Sequence, residues 1–311
     1  MSKKRIKIGS RSSRLALWQA DWVQAQLQSK GISVEIIKIK TTGDKILDVP
    51  LSKVGGKGLF VKEIEEALLR HEIDIAVHSM KDVPGKLPDN LHIAAIPKRE
   101  DPRDAIISFN SISLTELQKG ATVGTSSLRR MSQLLAIRPD IQIVSLRGNL
   151  DTRLRKLDEG QFSAILLAAA GLHRMGWGER ITEYLAPDHF LPAIGQGALG
   201  IECREEDPET NELIAFLNHP ETATAVTAER AMLARLEGGC QVPIGGYATM
   251  TGDQVTLEGL VASLDGKEII KTSQTESVSK AEALGVSVAE SLLNAGAAQI
   301  LSAVYSGGRE S

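Results

Sequence analysis

Cys240 is one of only two cysteines in this sequence of 311 residues, and it stands in the stretch LEGGCQVPIGGY at residues 236–247. Two glycines precede it and Pro243 follows, so little side-chain bulk surrounds the sulfur and the segment is predicted to be a loop. An exposed thiol of this kind can act as a nucleophile once it is deprotonated. A small buried core residue is the alternative. The other cysteine, Cys203, lies inside the apolar strand LGIEC and is better explained as a core residue.

Asp82 and Lys81 follow the apolar run DIAV in the segment HSMKDVP, residues 78–84. A carboxylate at the end of a strand beside a cleft can act as a general acid or base, or can stabilise a cation. A simple turn is the alternative, because Asp followed shortly by Pro is typical of turns. His78 is predicted to be a satisfied, partly buried histidine. No metal site is predicted, because no second histidine or cysteine lies at ligand spacing.

Three predicted junctions between a strand and a helix share one local chemistry, a Ser or Asn near the helix start with arginines in the same turn. They are GSRSSRLAL at residues 9–17, GTSSLRRMS at 124–132 and SLRGNLDTRL at 145–154. The first N–H groups of a helix lack partners within it, and Arg offers a planar fork to carboxylate or phosphate, so each junction could bind an anion. A capped helix with a solvated arginine is the better explanation of any single junction. Together they predict a ligand with several acidic groups, since ligands of α/β sheets gather at the carboxyl ends of strands.

The glycine-rich segment LSKVGGKGLFVKE, residues 51–63, leads into a predicted helix. It is not a phosphate loop of the GxxxxGK[ST] type, because no Ser or Thr follows the lysine. A mobile lid over a binding cleft and a phosphate cradle are equally compatible with it.

The elements that must position these residues alternate between short apolar strands and amphipathic helices along the whole chain. This alternation predicts an α/β fold with mostly parallel sheets. Residues 98–104 are polar and residues 192–200 are rich in glycine, and both segments are predicted to cross between domains. A last helix, residues 280–305, is expected to break near Gly296. The length of the chain suits two or three domains.

The composition is that of an ordinary soluble protein, with 42% hydrophobic and 24% charged residues and a net charge of -3. It predicts no general attraction to nucleic acid or to anionic membranes. The N-terminal residues run directly into a strand pattern without the apolar segment of a signal peptide, and no apolar run is long enough to predict a membrane span. Two cysteines suit a reducing compartment, so we expect a cytoplasmic protein.

Five motifs of this sequence resemble, in order along the chain, those of the hydroxymethylbilane synthase family, also called the porphobilinogen deaminases. They are HSMKDVP, GTSSLRR, SLRGNLDTRL, LPAIGQGALGIECR and ERAMLARLEGGCQVPIG. The resemblance implies a transferase of tetrapyrrole and haem biosynthesis. In this family, four porphobilinogen molecules condense, with loss of four ammonia molecules, on a covalently bound dipyrromethane primer, and hydrolysis then releases linear hydroxymethylbilane.

The resemblance also implies roles for single residues. Cys240 would hold the dipyrromethane cofactor through a thioether, and Asp82 would be the catalytic carboxylate. Besides these two, the residues implied to contact the cofactor are Lys81, Thr125, Ser127, Arg129, Arg130, Arg147 and Gly148. Those implied to bind substrate are Arg11, Ser13, Arg147, Arg153, Arg174 and Gln196. A mobile active-site loop would contain Lys53, Lys57 and Phe60.

The implied fold has three α/β domains, the first two like the lobes of a type II periplasmic binding protein with a cleft between them. The expected limits are residues 1–98 with 198–217 for domain 1, 103–193 for domain 2 and 218–311 for domain 3. Domain 3 would be a small sheet covered by helices that carries Cys240.

The implied partners are porphobilinogen, the growing pyrrole chain and the next tetrapyrrole enzyme, and the protein is expected to be a monomer without nucleic-acid or membrane partners. The main alternative is a two-lobed protein that binds a polycarboxylate without catalysis. A phosphate-ester enzyme is a weaker alternative, since it would need a metal or phosphate-loop motif that this sequence lacks.

Overall fold

The computed structural model describes residues 5–45, 61–237 and 242–307. The strands are β1 (Arg5–Arg11), β2 (Ser33–Ile39), β3 (Ile75–Ser79), β4 (Leu91–Ala95), β5 (Asp104–Ser108), β6 (Thr122–Gly124), β7 (Gln142–Val144), β8 (Ala164–Ala168), β9 (Glu183–Leu185), β10 (Leu199–Arg204), β11 (Ile244–Thr251), β12 (Gln254–Ala262) and β13 (Ile269–Ser277). The helices are α1 (Arg14–Ser29), α2 (Thr42–Lys45), α3 (Lys62–Leu69), α4 (Leu128–Ile137), α5 (Leu150–Asp158), α6 (Ala169–Arg174), α7 (Pro208–Ile214), α8 (Pro220–Arg235), α9 (Ala281–Leu292) and α10 (Ala298–Gly307).

The first sheet has the strand order β2-β1-β3-β10-β4. β1 pairs in parallel with β2 and β3, whereas β10 is antiparallel to both β3 and β4. Along β1 the buried Ile6 and Ile8 alternate with exposed residues, and they share a core with Val23 and Leu27 on the buried face of α1. The apolar residues whose spacing predicts this strand and this helix therefore also form the core beneath the first arginine junction.

The second sheet repeats this arrangement, with the strand order β7-β6-β8-β5-β9. β6 is parallel to β7 and β8, and β5 is antiparallel to β8 and β9. In both sheets the fourth strand in the order is the antiparallel one. The shared topology confirms the predicted α/β fold with two lobes of the type II periplasmic-binding-protein kind.

The chain crosses between these two sheets twice, through residues 96–103 from β4 to β5 and through residues 186–198 from β9 to β10. The first crossing leads directly into β5 and the second into β10, which are the antiparallel strands of the second and first sheets. The prediction of mostly parallel sheets therefore holds for the two large sheets, where four of five strands run in one direction, but not for β5 and β10 or for the third sheet, which is antiparallel throughout. A buried strand has the same apolar pattern in either direction, so the pattern could not reveal its orientation.

The third sheet is the antiparallel meander β11-β12-β13, with α8 and α9 packed on one of its faces. Its core combines Met232 of α8 with Leu257 of β12 and Val288 of α9. The two helices cross closely because Gly285 has no side chain: a Cβ there would collide with the carbonyl oxygen of Ala228. The predicted small sheet covered by helices is thus confirmed.

The helical stretch Val278–Ser306 is long and apolar enough, with a mean hydropathy of 1.2, to cross a membrane by length and composition alone. Leu284, Val288 and Leu292 within it are buried in the core of the third sheet. As predicted, the stretch is broken at Gly296, which has a φ of 106°. Core helices of soluble proteins pass the same test of length and composition, so this stretch is weak support for a membrane segment.

Candidate active site

Asp82 lies at one edge of the first sheet, on a single 3₁₀ turn, Met80–Asp82, that directly follows β3. β3 is buried through His78 and Met80 is buried under the turn, so the half-buried Asp82 has a rigid base. Asp82 lines a cavity of about 70 Å³ together with Arg11, Ser13, Gln19, His78 and Ser79. The segment HSMKD and the first arginine junction meet here because β1 and β3 are parallel neighbours that end at the same edge.

The helix starts at the three junctions have the expected caps. Ser13 Oγ accepts a hydrogen bond from the backbone N–H of Ala16 at 3.3 Å. Ser127 Oγ accepts one from Arg130 at 3.4 Å, and Asn149 Oδ1 accepts one from Thr152 at 2.9 Å. Since the caps occupy only part of the first turn, remaining N–H groups of these helices can face an anion. Beside the second junction, Thr125 Oγ1 accepts from the N–H of Ser127 at 3.2 Å, which fixes the turn before the helix.

Gly148 shapes the third junction through its backbone. Its φ of 113° lies in a region that side chains rarely adopt, and a Cβ there would also press against Thr152. Its carbonyl oxygen accepts a hydrogen bond from Nε of Arg153 at 2.9 Å, which orients that guanidinium. The residue therefore acts on this site by holding Arg153.

Arg129 and Arg130 point into the protein, where both contact Asp104. Arg129 Nη1 lies 2.7 Å from Oδ2 of Asp104, and Arg130 Nη2 lies 2.7 Å from Oδ1. Gln196 Nε2 donates to Oδ1 of the same carboxylate at 3.0 Å. Burial alone would raise the pKa of Asp104, but the two guanidinium groups lower it well below its usual range. Three predicted ligand-binding residues thus converge on one buried carboxylate that the sequence analysis did not single out.

Positive charge is in excess around Asp82. Burial lowers the pKa of Lys81 to about 8, and the charge of Asp82 opposes this shift. Burial also lowers the pKa of Arg153 to about 10, and the neighbouring cations Arg130 and Arg147 lower it further, while Asp82 opposes them. Asp82 of the first lobe therefore lies within electrostatic reach of Arg153 of the second, which in turn lies near Arg130 and Arg147, as a cleft for an acidic ligand requires.

Side chains from both lobes also meet along the border of this cleft. Arg174 Nη2 donates to the carbonyl oxygen of Gly197 at 2.7 Å, and its guanidinium lies 6.0 Å from the ring centre of Trp18. Burial lowers the pKa of Arg174 to about 10. Arg14 of α1 forms an ion pair with Asp151 of α5 at 2.9 Å. The predicted residue Arg174 is thus hydrogen-bonded to the second crossing, at the edge of the site.

Four of the predicted residues, Cys240, Lys53, Lys57 and Phe60, lie outside the described residues. Cys203 is described and is fully buried. Burial raises the pKa of its thiol to about 12, so it is an unreactive core cysteine, as predicted.

Two further contacts of this region involve residues that are far apart in the sequence. His78 Nε2 lies 2.8 Å from Oε2 of Glu202 across β3 and β10, which confirms a buried, satisfied histidine. Arg230 of α8 donates to the carbonyl oxygens of Val83 and Pro84, just after Asp82. Glu202 and Arg230 both stand inside motifs of the resembled family, but no local pattern indicates what they contact.

The residues at this cleft fit a ligand with several carboxylates, as a dipyrromethane with acidic arms would be. The cations that lower the pKa of Arg153 form a cluster that an anionic ligand would neutralise. Within the described ranges, the buried Nε of Arg129 lacks a hydrogen-bond partner, so one donor remains unused. In the same ranges, no group of three or more His, Cys, Asp or Glu side chains is arranged to hold a metal ion.

Comparisons with known proteins agree with this site. A family model described as porphobilinogen deaminase, dipyromethane cofactor binding domain, matches residues 6–212. A second, described as porphobilinogen deaminase, C-terminal domain, matches residues 223–294. Among solved structures, the periplasmic VFT2 domain of BvgS from Bordetella pertussis is 16% identical and covers 68% of this chain and 85% of that one. Its TM-score of 0.40 is too low to support any inference.

Several curated porphobilinogen deaminases match this chain along nearly its whole length. The protein of Geobacter metallireducens is 56% identical over 307 residues, which are 98% of this chain and 96% of that protein. The proteins of Geobacter sulfurreducens and Syntrophotalea carbinolica are 57% and 58% identical, over 98% of this chain and over 96% and 97% of their own lengths. The chain therefore belongs to the porphobilinogen deaminase family, whose members are transferases that make hydroxymethylbilane with a dipyrromethane cofactor.

Proposed function

We propose that this chain builds hydroxymethylbilane at the Asp82 cavity, by adding four porphobilinogen molecules in turn to a dipyrromethane primer attached to Cys240. The observation that carries this assignment is the position of Asp82, a carboxylate that lines a cavity with Arg11 and lies within electrostatic reach of Arg153 of the opposite lobe. Pyrrole rings with acetate and propionate arms need those cations for binding. A carboxylate stabilises the positive charge that develops during the reaction.

Asp82 acts on the reacting ring. Loss of ammonia from the aminomethyl arm of porphobilinogen leaves a positively charged azafulvenium ion, and the carboxylate of Asp82 stabilises it. The same carboxylate then accepts the proton that leaves the reacting carbon. The buried 3₁₀ turn supports this role, because a preorganised charge need not rearrange when the cation forms.

The cations and hydroxyl groups around the cleft bind the acidic arms of the substrate and of the growing chain. On the first lobe these are Arg11, Ser13 and Lys81, and on the second lobe Thr125, Ser127, Arg147, Arg153 and Arg174. Arg129 and Arg130, which Asp104 holds in place, supply positive charge beside the cofactor, and Gly148 and Gln196 keep the arginines oriented. Lys53, Lys57 and Phe60, which the resemblance assigns to a mobile active-site loop, would bind the growing chain.

Cys240 holds the primer. A bound dipyrromethane supplies the terminal pyrrole to which the first substrate is joined. Cys240 forms the thioether once and takes no part in later cycles. The burial and raised pKa of Cys203 support this choice between the two cysteines, since a thiolate is the reactive form.

The organisation proposed around this site has three domains, residues 1–98 with 198–217, residues 103–193 and residues 218–311. The three separate sheets support these limits. A monomer in the cytoplasm, which delivers its product to the next tetrapyrrole enzyme and needs no nucleic acid or membrane, is consistent with the near-neutral charge.

Intact-protein mass spectrometry tests the proposed function. The purified chain should carry the added mass of one dipyrromethane, and incubation with porphobilinogen should produce a ladder of added pyrrole units. Cys240→Ala should abolish both, whereas the matched variant Cys203→Ala should retain them. A wild-type chain without any adduct would instead support the polycarboxylate-binding alternative.

A further inference from the structure

The loop that follows Asp82 is held by a side chain of the third sheet's helix α8. Arg230 Nη2 donates to the carbonyl oxygen of Pro84 at 2.8 Å, and Nη1 donates to that of Val83 at 3.3 Å. One planar guanidinium thus bridges two successive carbonyls immediately after the catalytic carboxylate. A bridge of this kind restricts the position of the turn more than a single hydrogen bond would.

The same loop packs directly on the backbone of α8. A Cβ built on Gly85 would just touch Cα of Ala234, at 3.4 Å, so the loop lies close beside the helix and a side chain larger than methyl would press on it. Ala234 is one helical turn beyond Arg230, on the same face of α8. The loop is therefore bonded to α8 through Arg230 and runs close to the helix one turn further on.

Arg230 is also influenced by a charge of the first sheet. Burial lowers the pKa of Arg230, and the negative charge of Glu202 on β10 opposes this shift. Glu202 is 1% exposed, its Oε2 bonds His78 of β3, four residues before Asp82, and its Oε1 has no hydrogen-bond partner within the described residues. The chain is thus held before Asp82 by the His78 and Glu202 pair, and after it by Arg230.

Two other charged groups lie near this arrangement. Glu65 of α3 interacts electrostatically with His78 and Glu202, and burial raises its pKa to about 7, so it adds little negative charge below neutral pH. Arg204 of β10 donates to the carbonyl oxygens of Leu68 and Ile73. Arg230 is the cation of α8 that bonds the loop after Asp82.

We propose that Arg230 is a positioning residue for Asp82, and that α8 couples the catalytic carboxylate to the segment that carries the cofactor cysteine. The proposal rests on the proposed roles of Asp82 and Cys240. α8 ends at Arg235, five residues before Cys240, so one rigid helix holds the Asp82 loop on its side and leads into the cofactor segment at its end. The carboxylate would then keep one position on its turn while the product lengthens.

The test compares kcat and KM for porphobilinogen in the cofactor-loaded wild type, in Arg230→Leu and in Asp82→Asn. We expect Arg230→Leu to lower kcat by about 10- to 100-fold with little change in KM, because the cations that bind the substrate remain in place. In the Asp82→Asn background, Arg230→Leu should lower kcat by less than about threefold. The amide has no negative charge to stabilise the cation, so a shift in its position has little further effect. Arg235→Leu is the matched control, since Arg235 lies on the same helix but forms an exposed ion pair with Glu290.

A second variant keeps the test decisive if Arg230→Leu does not fold. Gly85→Val adds bulk where the loop meets Ala234 and leaves Arg230 intact, so it should also lower kcat and spare KM. Equal losses from Arg230→Leu with and without Asp82 would overturn the proposal, as would a normal kcat in both Arg230→Leu and Gly85→Val. Intact-protein mass spectrometry distinguishes failure of the positioning role from failure of the proposed function. A wild-type protein without a cofactor adduct or turnover would contradict the proposed function, whereas the variant comparisons above contradict only the role of Arg230.

Discussion

Arg99 and Glu229 form a buried, bidentate ion pair that joins the first crossing to α8. The Nη1–Oε1 and Nη2–Oε2 distances are 2.6 and 3.2 Å. Glu229 is fully buried and also accepts hydrogen bonds from the backbone N–H groups of Gly195, in the second crossing, and of Ala248, in β11. One carboxylate therefore links both crossings to the third sheet.

The link between Arg99 and Glu229 should contribute strongly to the stability of the fold. Glu229→Gln would leave the buried guanidinium of Arg99 without its counter-charge, and we expect a loss of about 3–5 kcal/mol in the free energy of unfolding. Urea unfolding followed by circular dichroism measures it. Glu290→Gln is the control, because its ion pair with Arg235 is exposed and should be worth less than about 1 kcal/mol. Equal losses in the two variants would refute the structural role of Glu229.

Asp82→Asn tests charge stabilisation at the reacting ring. The amide keeps the size of the side chain but removes its negative charge, so we expect substrate binding to persist and kcat to fall on the order of 100-fold or more. Steady-state kinetics with the cofactor-loaded enzyme gives both quantities. Asp89→Asn, at an exposed position of the following turn, should behave like the wild type. A near-normal kcat in Asp82→Asn would remove Asp82 from the mechanism.

Arg153→Leu tests whether the cations of the second lobe bind the acidic arms of the growing chain. Losing a charge-assisted, bidentate contact should cost about 1.5–3 kcal/mol, which is roughly a 10- to 100-fold loss in the affected addition step. The mass ladder with porphobilinogen should therefore stop early or form slowly. Arg155, two residues further along α5, forms an exposed pair with Glu159, so Arg155→Leu should give the complete ladder. A complete ladder from Arg153→Leu at the normal rate would contradict the role of Arg153.

Glu65 should make stability fall as pH rises. Burial, with the nearby charge of Glu202, raises the pKa of Glu65 in the folded protein from 4.5 to about 7. The folded state therefore holds this proton more tightly than the unfolded state. The stabilisation is complete below about pH 4.5 and is lost as pH rises through 7, a total on the order of 3 kcal/mol.

Glu65→Gln should remove that dependence, so its stability relative to the wild type should increase between about pH 5 and about pH 8. Urea midpoints at the two pH values measure the change. Glu66→Gln, which removes an exposed carboxylate of the same helix, should follow the wild type. Parallel pH dependences of Glu65→Gln and the wild type would show that Glu65 ionises normally in the folded protein.

Several parts of the site follow from local sequence. Ser13, Ser127 and Asn149 cap helices as their positions after apolar strands predict, because capping depends on residues only three apart. Asp82 stands at a strand end for an equally local reason, since the buried run IAVH stops just before it. The resemblance in motifs named the family and the reaction, which the comparisons confirm.

The sequence by itself therefore determined which residues stand at strand ends and helix starts, and which of them carry charge. The tertiary structure alone decided that Arg129 and Arg130 face Asp104, that Glu202 bonds His78, and that Arg230 holds the Asp82 loop. These partners lie 25 to 147 residues apart, and no local periodicity encodes such a distance. A buried charge is costly unless it is paired, so each of these groups requires a partner. Which partner lies close enough depends on how the chain crosses between the sheets.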